Sequence, residues 1–134
     1  MTRNKEREQA FFLLFEWSFQ PFKTADELIE LSLESGFIKP SAFTERLLRE
    51  TMENREEIDS VIERFAEGWS LSRLTKVSLS TLRLAVCEIL YFDDIPEGVS
   101  INEAVNLAKK YAGPSDSAFI NGVLGGIARD CEAK

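Results

Sequence analysis

The chain has 134 residues, 44% of them hydrophobic and 29% charged, with a formal net charge of −7. That is material for one domain with a real core, too hydrophobic for a disordered chain and too acidic overall to coat nucleic acid indiscriminately. There is no histidine, and the two cysteines, Cys87 and Cys131, form no CxxC pair, so zinc-finger and thioredoxin-type readings fall away and neither metal nor cofactor is expected.

Arg3, Lys5 and Arg7 precede an apolar run over 10–15, but Glu6 and Glu8 interrupt the basic region and Glu16 ends the run, so it does not read as a secretory signal. Nothing approaches the roughly 18 consecutive apolar residues of a membrane span, and a soluble, cytoplasmic protein is expected. The first helix should cover about 3–19. Ala10, Phe11, Leu14 and Phe15 share a face, and Phe12, Leu13, Trp17 and Phe19 spread apolar surface nearly all round, which predicts a central helix. Pro21 breaks it. Thr24 with Glu27 is a capping-box pattern for a second helix carrying Leu28, Ile29, Leu31 and Leu33 inward, stopped at Gly36.

Pro40 and Ser41 open a third helix with Phe43, Leu47, Leu48 and Thr51 inward, and Asn54 with Glu57 reads as another cap. In the fourth helix Ile58, Val61, Ile62, Phe65 and Trp69 form an apolar stripe, backed by a solvated face of Glu56, Glu57, Asp59, Glu63 and Glu67. Residues 69–75 read as a turn or a single helical turn. A fifth helix should start at Ser78 or Ser80, bury Leu79, Leu82, Val86, Ile89 and Leu90, and stop at Asp93-Asp94-Ile95-Pro96; Cys87 within it reads as a buried, reduced thiol. Charge is segregated here: residues 45–67 hold eight acids and four bases, whereas 68–87 hold Arg73, Lys76 and Arg83 and no acid. A polyanion would choose the second stretch.

Ser100 and Glu103 form a capping-box pattern, and Ile101, Ala104, Val105, Ala108 and Tyr111 then recur at helical spacing up to Gly113-Pro114. A last helix places Phe119, Ile120, Val123, Leu124 and Ile127 on one face, with the phrase Phe119-Ile120-Asn121-Gly122 near its start. The class is all-α, about seven helices. No Gly-rich phosphate loop and no GxSxG elbow occurs, so no catalytic residues are assigned.

The phrases INEAV-LAKKY and FINGVL, preceded by LRLAVCEILYFDDIP, closely resemble the NusB family of bacterial transcription antitermination factors, and the resemblance extends more loosely over all 134 residues. It implies a single domain of two small packed helical bundles, 1–68 and 69–134. It also implies a noncatalytic protein that binds boxA-type single-stranded RNA in leader and ribosomal transcripts together with NusE, a ribosomal small-subunit protein. Through other Nus factors it would reach the RNA polymerase elongation complex. Relatives include monomers and homodimers. Some NusB-like domains precede RNA methyltransferase domains, for which 134 residues leave no room.

In the family the arginine-rich beginning contacts RNA, and Arg3, Lys5 and Arg7 occupy that segment, suited to phosphate contact. The family's aromatic in the FINGVL phrase lies by the RNA, so Phe119 is the expected base-stacking ring, with Asn121 beside it. Lys76, Ser78 and Arg83, with Lys109 and Lys110, would extend the surface. All these groups are expected to converge into one patch. Departures from the family pattern bear on RNA: Val77-Ser78-Leu79 lacks the usual acid and base, Ala118 replaces a usual Lys, and Gly125-Gly126 replaces a typically charged pair. Helical glycines predict fraying of the last helix. These departures motivate an alternative, a NusB-fold scaffold for protein interactions whose RNA binding is weakened or lost.

Overall fold

Local signals set the boundaries of the helices in the computed structural model, which describes residues 2–36 and 38–133. Among these, seven α-helices and one 3-10 turn (Leu71–Arg73) appear and no strand: α1 (Arg3–Phe19), α2 (Ala25–Ser35), α3 (Ala42–Glu53), α4 (Arg55–Phe65), α5 (Lys76–Tyr91), α6 (Glu97–Tyr111) and α7 (Pro114–Glu132). The capping box of α2 is complete, with Thr24 Oγ1 accepting from the Glu27 N–H and the Glu27 carboxylate accepting from the Thr24 N–H. Gly36 ends α2 at φ +70°, the left-handed conformation that glycine adopts without steric cost. No described helix is long and apolar enough to cross a membrane.

Two expected starts lie elsewhere, and a third, at Asn54, stands where expected without its side-chain cap. Asn54 makes no side-chain cap to α4; its amide donates back to the Glu50 carbonyl. The α5 cap is Thr75, whose hydroxyl accepts from the Ser78 N–H at 3.1 Å, so Ser78 is already inside the helix. Likewise α6 starts at Glu97, and Ser100 is a helical residue whose hydroxyl donates to Glu88. In each case a nearby partner outcompeted the local cap geometry.

The helix at the centre is α5, not α1. Every residue from Ser78 to Glu88 is buried, Cys87 among them, and α5 packs against α1, α3, α4, α6 and α7. Its polar positions hid this in the sequence: Thr81, Arg83 and Glu88 are buried with hydrogen-bond partners rather than turned to water, and Ser80 is buried without one. By contrast α1 leaves Phe19 exposed, and α2 turns Leu31 and Leu33 outward while burying Leu28, Ile29 and Ser32.

Side-chain pairs fix the helix directions. Arg7 near the start of α1 meets Glu88 near the end of α5, and Phe19 at the end of α1 meets Lys76 at the start of α5, so the two run antiparallel. Asn4 donates to Glu103, Lys110 pairs with Glu8, and Tyr111 stacks on Phe11, so the second half of α6 runs parallel to the first half of α1. Helix α7 does not fray at Gly125-Gly126 but continues to Glu132. A Cβ on Gly126 would stand 3.1 Å from the Phe65 ring, so this glycine lets α7 lie close against α4, and the packing offsets its helix cost of about 1 kcal/mol.

Candidate nucleic-acid interface

The amino-terminal cations divide into two exposed and one buried. Arg3 is exposed, with its guanidinium 3.9 Å from the centre of the Phe43 ring and 3.5 Å from Glu6. Lys5 is exposed, 3.8 Å from Glu8. Arg7 is only 3% exposed. It donates twice to the wholly buried Glu88, at 2.8 and 2.9 Å, and Glu88 also accepts from Ser100 Oγ at 2.9 Å. The expectation that Arg7 contacts phosphate is therefore corrected: one helical turn after Arg3 it lies on the same face, beside the same Phe43 ring, but further along α1, where Glu88 of α5 and, through it, Ser100 of α6 cover that face and Arg7 ties the three helices together.

Next along the surface lies Glu8, accepting from Lys110 Nζ at 2.6 Å and from the Tyr111 hydroxyl at 2.8 Å. Partial burial opposes ionisation of Glu8, but these two hydrogen bonds and the nearby ammonium groups of Lys110 and Lys5 outweigh it and hold the carboxyl below its ordinary range. Burial and the Glu8 carboxylate together raise the Tyr111 phenol. Tyr111 stacks on Phe11 at 5.2 Å, Phe11 on Phe15 at 6.1 Å, and Phe15 meets Phe19 edge-on at 5.0 Å.

At the far end of this row the exposed Lys76 ammonium sits 5.4 Å from the exposed Phe19 ring. Beyond it a hollow of about 410 Å³ is bounded by Arg73, Thr75, Ser78, Ser115, Asp116 and the rings of Trp69 and Phe119. Phe119 is half-buried, its ring 6.2 Å from that of Trp69 at 64°. Asn121 is exposed on α7, next to the fully buried Ile120. Ser78 and Arg83 correct the sequence reading as Arg7 does. Ser78 is buried in the first turn of α5, and Arg83 donates to both oxygens of Asp59 at 2.8 and 2.9 Å beside the Trp17 ring. That pair also removes Asp59 from the solvated acidic face of α4.

The expected single patch becomes a track. Arg3 and Lys5 stand at one end of α1, which is roughly 25 Å long at 1.5 Å per helical residue, whereas Phe119 shares its hollow with Thr75 and Ser78 at the start of α5, which meets the other end. Lys110, Tyr111, Phe15, Phe19 and Lys76 lie between them, and the ring that joins Tyr111 to Phe15, Phe11, is buried at 2% exposure and supports the row from beneath. Trp69 was missed as a surface residue, because spacing alone extends the α4 stripe to it. The helix ends four residues earlier, and Gly68, at φ +77°, turns the chain out of that stripe.

A family model described as the NusB family matches residues 4–129. The chain belongs to the NusB family. Among its relatives, the transcription antitermination protein NusB of Carboxydothermus hydrogenoformans is 45% identical, over 96% of this chain and 93% of that one. The same-named protein of Clostridium acetobutylicum is 43% identical over the whole of both. Of solved structures, T. maritima NusB superposes with a TM-score of 0.83 at 33% identity, covering 97% of this chain and 92% of that one. A chain from the crystal structure of the antitermination factors NusB and NusE in complex with dsRNA gives 0.82 at 32% identity, covering 97% and 99%.

Within this NusB-family chain, the departures at Val77-Ser78-Leu79 gain a structural reading. Ser78 and Leu79 are buried against the neighbouring helices, so neither position offers a charge to the surface, and the cations left at this end are Lys76 and Arg73. Ala118 is exposed beside Phe119 and contributes no charge either.

Proposed function

We propose that this chain is a noncatalytic transcription antitermination factor that binds boxA-type single-stranded RNA of leader and ribosomal transcripts together with NusE. In that role it would act in the cytoplasm and reach the RNA polymerase elongation complex through other Nus factors. Its two bundles, 1–68 and 69–134, would act as one RNA-binding domain, alone or as a homodimer.

One observation carries the reading: on an acidic protein, the exposed cations Arg3, Lys5 and Lys76 line a track that ends at a half-buried aromatic ring beside a hollow. Arg3, Lys5 and Lys76 would neutralise successive phosphates, and Phe119 would stack on an unpaired base with Asn121 at its edge. A ring can do this for a single strand and not for a stacked duplex, which favours unpaired RNA. Arg7 and Arg83 act indirectly, by holding the helices that present these groups, and Ser78 only forms part of the hollow's wall. NusE enters by linkage: two modest contacts, RNA to this chain and NusE to this chain, reinforce each other when both are satisfied on one surface.

The test is a titration of boxA RNA with and without NusE at several salt concentrations, repeated with Phe119→Leu. Tighter, salt-sensitive binding with NusE is expected, together with a loss of about tenfold in affinity for the variant. Equal affinities with and without NusE would overturn the linkage.

A second reading has its own support. With Arg7 and Arg83 consumed in buried pairs and Ser78 and Ala118 uncharged, the cationic surface is thin, which suits a NusB-fold scaffold that docks proteins and has weak RNA binding or none. RNA binding that is weak in the wild type and unchanged when Arg3 and Lys5 are both changed to Ala, and separately when Phe119 is changed to Ala, in folded proteins favours this scaffold.

A further inference from the structure

The indole of Trp69 stands outside every role given so far. Helix α4 stops at Phe65, the backbone N–H of Trp69 donates to the Ala66 carbonyl at 2.9 Å, and the turn at Gly68 brings the side chain out to 49% exposure. An indole so exposed, with its edge against another ring, invites a planar ligand.

Trp69 and Phe119 form a corner with space on both sides. The smaller hollow, about 410 Å³, has Arg73 and Thr75 on its wall. The larger, about 770 Å³, runs over Gly122 and Gly126 of α7 to Arg129, with Glu67 and Asp130 on its wall as well, and both rings line it too. A Cβ at Gly122 would meet nothing within 4 Å, so the helix surface there is bare and open to a flat group. Both volumes fall in the range of small-ligand sites, about 300–1,000 Å³.

Charge decides what kind of planar group fits. The stretch 68–87 has no acid, and its exposed cations are Arg73, on the wall of the smaller hollow, and Lys76 in the first turn of α5. Asp116 lines the smaller hollow and repels a phosphate from it, leaving that space to a base and the phosphates to Arg73 and Lys76. Aromatic stacking sites flanked by cations are how proteins hold consecutive unpaired nucleotides.

We propose that Trp69 is a second base-stacking residue, which with Phe119 holds two successive unpaired nucleotides of bound RNA across the corner while Arg73 takes a neighbouring phosphate. The proposal rests on the RNA-binding reading above and extends it past Phe119.

The chain's two tryptophans make the test direct, since Trp17 is 4% exposed and Trp69 is the accessible one. In the wild-type protein, boxA RNA should quench the emission that iodide also quenches. Trp69→Leu should weaken RNA binding about tenfold and Trp69→Phe should stay within about threefold of wild type, with far-UV circular dichroism and melting temperature showing both folded. Should Trp69→Leu not fold, the wild-type quenching decides alone. Unquenched emission on a saturated complex, or Trp69→Leu binding as wild type while Phe119→Leu is impaired, would overturn this proposal and leave the RNA-binding reading standing. A Trp69→Leu protein that loses NusE but keeps RNA would also overturn it, assigning the indole to a protein interface. Wild-type protein that binds no RNA, with or without NusE, would sink both.

Discussion

The two ends of α1 are built from similar residue types and do different things. At the start, nearly every cation is answered by a carboxylate: Arg3 by Glu6, Lys5 and Lys110 by Glu8, Arg7 by Glu88. At the other end, Lys76 and Arg73 lie in an acid-free stretch among the rings of Phe19, Trp69 and Phe119. Counting positive charges would rank the amino terminus first. The contacts reverse that order, because a cation already paired with a carboxylate must give up that pairing to gain a phosphate, whereas one facing a ring and solvent gives up less.

The sharpest way to break this comparison is at its most buried pair. Arg7→Ala leaves Glu88 as an uncompensated buried charge and should cost about 3–5 kcal/mol of stability, read by chemical denaturation. RNA affinity per folded molecule should then change little. A stable Arg7→Ala protein that has lost RNA binding would mean Arg7 faces the ligand after all.

A smaller effect separates the two ends directly. Lys76→Ala should lower the slope of log affinity against log salt by about 1, the signature of one lost phosphate contact, and Lys5→Ala should lower it by less because Glu8 already holds part of that charge. Equal slopes for the two variants would erase the distinction between the ends.

The smallest effect concerns Glu8 and sharpens the account of the paired end. Its carboxyl is held below the ordinary value of 4.5, so its contribution to stability is fully present above that value and is lost as pH falls through the lower folded value. Melting temperatures of wild type and Glu8→Gln should therefore differ most near neutrality and converge in acid below pH 4.5. A difference that grew on acidification would contradict the Lys110 and Tyr111 contacts.

Much of this was legible beforehand because it is local. The capping box at Thr24, the stop at Gly36 and the span of α1 need only a few neighbouring residues to be specified. Trp69 was misplaced for the complementary reason: hydrophobic period continues through a helix end without marking it, and only Gly68 two residues after Ala66 hinted at the turn. Arg7, Ser78 and Arg83 looked like surface residues because polar side chains usually are; the partners of the two arginines, Glu88 and Asp59, come from helices distant in the chain, and Ser78 is covered by packing alone.

By itself, then, the amino-acid sequence determined an all-helical chain, the rough extent of each helix, the absence of histidine chemistry and the segregation of charge, since periodicity, caps and composition are properties of neighbouring residues. Tertiary structure alone decided which helix is central, which arginines are spent inside and which face water, and that the cations and the ring form a track rather than a patch. Those outcomes depend on which side of each helix meets another, and the free energy of burying a charge is settled by a partner that the local sequence does not contain.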